Sequence, residues 1–203
     1  MKWLIEKSGS KVGLSAALFA MGLGISQPAF ALLRLDPLHS QVNFISVKNE
    51  SVTEVHNFRT ISGMVNEQGT AVVDIDLASI DTNIEVRDER IKELLFDVVN
   101  YPEASINAKL NINDVNNMAV GESKVIPLTA ELSLHDHQVP IETKVSVTAL
   151  EDGGRLVSTL EPIVISAADF GLEGGIKALQ DVAQLQSIST TIPVTVQLLF
   201  LPE

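Results

Sequence analysis

Cysteine is missing from all 203 residues. That excludes disulfide staples, thiolate chemistry and lipid attachment at a cysteine. Aromatic residues are scarce, with one Trp, one Tyr and seven Phe, so the interior must be built mostly from Val, Ile, Leu and Ala. Basic residues are outnumbered, 14 Lys and Arg against 26 Asp and Glu, a balance that argues against nucleic acid or an anionic membrane surface as a partner. There is one uninterrupted apolar stretch, Val12 to Ile25, and its 14 residues fall short of the roughly 20 that a membrane-spanning helix needs. No stable membrane anchor is expected. The chain also lacks a nucleophile elbow, a phosphate loop, a dinucleotide fingerprint and a metalloprotease motif, so no catalytic residue is assigned and the expectation is a protein that is not an enzyme.

What is present begins with the first 31 residues. Lys2, Lys7 and Lys11 precede the apolar run, and Ala29-Phe30-Ala31 follows it as a small-x-small cleavage site. The segment reads as a secretory signal peptide, with the mature chain, residues 32–203, starting at Leu32 and forming one domain. Removing it takes away three Lys and one Glu, which leaves a formal net charge of −14. The compartment this implies is the periplasm, with secretion as the alternative.

The mature chain is dominated by period-two alternation, the mark of strands with one buried and one wet face. The clearest runs are Ile106, Ala108, Leu110, Ile112; then Ile126, Leu128, Ala130, Leu132, Leu134; then Ile141, Thr143, Val145, Val147, Ala149; and last Ile188 through Phe200. Further strands are predicted over 55–65, 71–77 and 156–165. Val47 is out of phase with Val42 and Phe44, which predicts a β-bulge at Ile45-Ser46. Pro193 in the final run predicts either a bulge or an edge at which two copies form a homodimer. Helical character is confined to 86–95 and to 176–185, the second opened by Gly174-Gly175. Many antiparallel strands with two short helices imply a closed barrel or a sandwich, and a barrel of about eight strands is either filled by side chains or holds one small ligand.

Four histidines carry any case for a site. His135-Asp136-His137 places two rings on one face of a strand end, the geometry of a metal pair, yet no third ligand is identifiable. The other reading is a polar hairpin tip, so no metal is assigned. His39 beside Asp36 reads as a capping residue. His56, two residues before Phe58, reads either as a group at a barrel mouth that holds a ligand head or as a solvent-facing side chain. Ser40 adjoins a histidine, but neighbours in a strand face opposite ways, which argues against a catalytic pair. The charged run Arg87 to Glu93 reads as a solvated helix face or as the outside of a lid, with Ile91, Leu94 and Leu95 inward and Phe96 stoppering a cavity.

Five blocks, in order, resemble the YceI-like family. They are Asp36-Pro37-Leu38-His39-Ser40-Gln41-Val42-Asn43-Phe44; Val73 to Asn83 followed by Arg87-Asp88; Phe96-Asp97-Val98 with Tyr101-Pro102-Glu103-Ala104; Leu132-Ser133-Leu134-His135 before Pro140; and Asp169-Phe170-Gly171. Departures from the family pattern are an extra residue at Ile45-Ser46, Arg90 where His is common, a helix one residue short before Phe96, and Asp136-His137 in place of Gly-Val. The resemblance implies an eight-stranded antiparallel lipocalin-like barrel with one or two short helices. It also implies an apolar cavity for a long-chain isoprenoid, a prenyl quinone or prenyl alcohol, or another acyl lipid, with no cofactor beyond that ligand. On this reading the cavity is lined by Val42, Phe44, Phe58, Ile75, Phe96, Ile106, Leu110, Leu128, Leu132, Val145, Phe170, Val194 and Val196. The alternative is an envelope stress or interaction module with a filled barrel and no ligand.

Overall fold

A computed structural model describes residues 31–203, with side chains from Leu33 onward; the segment read as a signal peptide lies almost wholly outside the described residues. Twelve strands follow one another as β1 (Ala31–Leu35), β2 (Gln41–Lys48), β3 (Val52–Phe58), β4 (Ile61–Asn66), β5 (Thr70–Asp76), β6 (Ile80–Asp81), β7 (Glu103–Lys109), β8 (Ser123–Leu134), β9 (His137–Ala149), β10 (Arg155–Thr159), β11 (Ile163–Ser166) and β12 (Thr191–Pro202). Three helices interrupt them: α1 (Glu85–Leu94), α2 (Ile112–Asn116) and α3 (Glu173–Val182).

The pairing reduces these pieces to eight long antiparallel strands. β1 with β2, β3 with β4, β5 with β6, and β10 with β11 are each one strand broken once, because both halves of each pair with the same neighbouring strand. The ladder runs round in chain order and closes where β12 pairs β1, Leu33 opposite Pro202 and Leu35 opposite Phe200. The result is a closed eight-stranded up-and-down barrel. Closure leaves every long strand with two partners, which removes the bare edges that an open sheet of this length would expose.

Alternation explains the wall. Along β8, Ile126, Leu128, Ala130 and Leu132 turn inward between exposed Val125, Pro127, Thr129 and Glu131. β9 repeats the pattern opposite, in twelve unbroken pairs from Ser123–Thr148 to Leu134–His137. Where strands break, side chains take over from the ladder. The Leu199 N–H donates to Ser40 Oγ (2.9 Å) at the β1–β2 break, and the Val196 N–H donates to Thr159 Oγ1 (3.2 Å) at the β10–β11 break. Asp36 shapes the first break, accepting from the Leu38 N–H (2.9 Å) and pairing with His39 Nδ1 (2.7 Å). That places His39 in the capping role read from its sequence, and Ser40 in a structural one.

Three expectations are corrected. β2 and β3 pair without a shift from Asn43–Asn57 to Lys48–Val52, so there is no bulge at Ile45-Ser46. The irregularity lies on the other side of β2: its ladder to β12 stops at Phe44–Val194, beside Pro193, and resumes only as the bridge Lys48–Ile188. Ile112 does not extend β7. Asn111 caps the Asn113 N–H (3.3 Å) and the chain turns into α2, a third helix where two were read. The rings of His135 and His137 do not share a face. His135 and Asp136 both have positive φ, 54° and 60°, and form the two-residue turn of the β8–β9 hairpin. This sends the His135 ring onto Tyr101 (centroids 4.0 Å apart) and the His137 ring against Gly171. Among the described residues no cluster of three His, Asp or Glu side chains is placed to hold a metal.

Candidate ligand cavity and its mouth

Helices stand at both ends of the barrel because of where they fall in the meander. α1 follows β6 and α3 follows β11, so both stand at the end formed by the β2–β3 and β8–β9 turns; α2 follows β7 and stands at the opposite end. There Val115 of α2 is buried, and Arg155 donates to its carbonyl from Nε (3.0 Å) and Nη2 (2.9 Å) while holding the Gly153 and Gly154 carbonyls through Nη1 (both 2.8 Å). One guanidinium thus ties the helical plug to the barrel wall. Buried Met118 packs with Val145, Val147 and Ala149 alongside.

Between plug and mouth the barrel is hollow, which contradicts the filled-barrel alternative. A wide chamber of about 520 Å³ lies beneath α1 and α3. A narrow one of about 130 Å³ lies above α2. Val42, Ile106, Ile141, Ile163 and Val196 line both, so the two chambers meet at an aliphatic waist. A circumference set by eight strands admits either a filled interior or a small ligand, and here the largely aliphatic wall leaves the interior open.

The residues read as lining sort cleanly. Val42, Phe44, Phe58, Ile75, Phe96, Ile106, Leu132, Val194 and Val196 line the wide chamber. Leu110, Leu128 and Val145 line the narrow one. Phe170 lines neither. It lies in a 3-10 turn, Ala167–Phe170, where alternation does not apply, and it is buried to 1 % exposure in the packing outside the cavity. Phe96 is part of the wall, its ring 6.1 Å from Phe58, which in turn lies 5.4 Å from Phe44. Of the lid residues, Ile91 and Leu95 face the wide chamber and Leu94 does not.

Apart from His56, for which a place at the mouth was one of two readings, sequence reading missed the polar part of the mouth. Continuing the period from Val42 and Phe44 brings Ser46 and Lys48 inward, and the in-register β3 adds His56 and Glu54. The signal was the same alternation, hidden by the supposed bulge. Glu54 Oε2 accepts from both Lys48 Nζ (2.6 Å) and Arg87 Nη1 (2.9 Å), and the Lys48 hydrogen bond, then Arg87, holds its carboxyl below the ordinary glutamate range. Arg87 is itself fixed by Thr82, through Nε to Oγ1 (2.7 Å) and Nη2 to the carbonyl (2.6 Å). Buried Asp88 accepts the Thr82 N–H and hydroxyl behind it. His56 is buried, contrary to the solvent-facing reading, with Nε2 on Ser46 Oγ (2.9 Å) and Nδ1 without a partner among the described residues. Burial, seconded by the charge of Arg87, pushes its pKa below the ordinary histidine value, so the ring is a neutral group beside Phe44 (5.2 Å).

This barrel fold is shared with solved structures. A polyisoprenoid binding domain from Saccharophagus degradans, implicated in plant cell wall breakdown, is 35 % identical with a TM-score of 0.84, over 86 % of this chain and all of that one. Burkholderia cenocepacia BcnA (18 % identity, TM-score 0.64, 81 % of this chain and 98 % of that one) and a Campylobacter jejuni YceI protein (17 %, 0.50, 73 % and 84 %) share the fold. A search of curated proteins found no match. The model of the YceI-like domain matches residues 33–200, the whole barrel from β1 into β12, and the chain therefore belongs to the YceI-like family.

Proposed function

We propose that this protein is an exported, periplasmic binding protein that holds a long-chain isoprenoid or other acyl lipid inside its barrel, without catalysis. The observation that carries the reading is the apolar interior, a wide chamber beneath two helices and a narrow one that shares five wall residues with it. Each methylene moved from water into such a lining contributes about 0.8 kcal/mol, so a long tail binds tightly with few polar contacts and the mouth sets the selectivity. The polyisoprenoid-binding relative supports this class of ligand, and the basic n-region, short apolar run and Ala29-Phe30-Ala31 support export.

The test is native mass spectrometry of the protein purified from its own periplasm, followed by organic extraction. A bound mass in the range of a prenyl quinone, prenyl alcohol or acyl lipid supports the proposal and names the cargo. An apo mass that persists after incubation with long-chain lipids refutes it.

A further inference from the structure

In a chain with 26 acidic and 14 basic residues, the mouth of the wide chamber reverses the ratio. Lys48, Arg87 and Arg90 line it against a single carboxylate, Glu54. Lys48 and Arg87 converge on one oxygen of Glu54, so the three together keep one positive charge. Arg90 lies one turn beyond Arg87 on the same face of α1, is exposed, and makes no hydrogen bond or ion pair among the described residues. Of the other carboxylates near Arg90 on α1, Asp88 is turned onto Thr82 and Glu89 pairs with Lys92, and neither these nor Glu93 line the chamber. His56 adds no charge of its own, being held neutral by burial.

We propose that the cargo carries an anionic head, a carboxylate or a phosphate, which sits at this mouth against Arg90 with the Lys48–Glu54–Arg87 group as a fixed positive frame. The assignment rests on the carrier reading above and deepens it. A neutral head, a quinone carbonyl or an alcohol, needs only a hydrogen-bond partner and leaves the net positive charge of this rim without a counter-charge. An anion offsets that charge, one unit for a carboxylate and up to about two for a phosphate, at the place where the apolar wall ends. A guanidinium with nothing bound to it offers a planar fork to a carboxylate or phosphate.

The experiment uses delipidated protein and two matched pairs of ligands, hexadecanoic acid with hexadecanol and farnesyl phosphate with farnesol, with affinities read by displacement of a neutral fluorescent polyene. The acid of at least one pair binds roughly tenfold more tightly than its alcohol, and the ratio shrinks at high salt. In Arg90→Gln the ratio falls toward one. The substitution removes charge without removing a structural contact, and unchanged thermal unfolding checks that the variant is folded. The pair showing the larger ratio distinguishes an acyl carboxylate from a prenyl phosphate. Equal affinities of acid and alcohol in both pairs, or a ratio that Arg90→Gln leaves intact, overturn the anionic head while leaving the carrier reading in place. Failure of all four ligands to bind overturns both.

Discussion

His56 sets an acid limit on the wide end of the barrel. Its ring is buried and its folded pKa lies below 6.5, so below about pH 6.5 the unfolded chain holds more protons than the folded one and stability falls as pH drops toward the folded value. Glu54 acts in a lower window. Its carboxyl is held below 4.5 by Lys48 and Arg87, and the stability this contributes is present above pH 4.5 and lost as pH falls through the folded pKa. Thermal midpoints between pH 7.5 and about 3 should therefore decline in two stages. His56→Gln, which keeps a donor for Ser46, should flatten the first stage and leave the second; a profile superimposable on the parent protein would refute the assignment. The place of His56 in the strand was legible from Phe58 two residues on. Its burial was not, because the side chains that cover it come from β2 and α1, and cross-strand register is not written in local sequence. Lys48 was obscured for the same reason: only the pairing partner shows that the period runs on unbroken.

At the scale of elements, two adjacent glycines in α3 make opposite predictions. A Cβ at Gly175 would stand 2.6 Å from the Leu94 carbonyl oxygen and 2.8 Å from Leu95 Cα, at the end of α1, whereas one at Gly174 meets nothing within 4 Å. Gly175→Ala should force the two mouth helices apart and destabilise by about 1–3 kcal/mol. Gly174→Ala should stabilise by up to about 1 kcal/mol through helix propensity alone. Denaturant unfolding of the two variants separates them, and a stabilising Gly175→Ala would refute the close packing of α1 on α3. At the other end, Arg155→Met removes the guanidinium donors to the Val115, Gly153 and Gly154 carbonyls, of which the last keeps the Leu150 N–H. A loss of about 2 kcal/mol is expected, with faster amide exchange over residues 112–118. Helices α1 and α3 were legible to within a few residues. α2 was not, because Leu110 and Ile112 continue the apolar alternation of β7 and only the Asn111 cap marks the turn.

For the whole molecule, the alternation of β8, β9 and β12 was enough to read sheets with one apolar face, in a closed barrel or a sandwich, and the family resemblance chose the barrel. It was not enough to tell hollow from filled, since that depends on how far side chains reach across a circumference set by strand number. The same dimension sets cargo length. Ala130 is buried on the wall of the narrow chamber, and Ala130→Leu places an isobutyl group in a space of about 130 Å³. The variant should fold, and the longest tails bound should shorten, each lost methylene costing roughly fourfold in affinity; mass spectrometry of a homologous acyl series reads the change, and an unaltered length profile would mean that the tail does not pass the waist. Closure carries a further consequence, for assembly in time. The seam joins the first strand to the last, Leu35 to Phe200, so the contacts of greatest sequence separation complete the wall, and such pairings are slow to form. Until β12 is in place the chain is an open sheet with two long unpaired edges, β1 with β2 on one side and β10 with β11 on the other. A chain cut before Thr191 keeps those edges permanently, and a second copy in the same state is the nearest strand that can satisfy them.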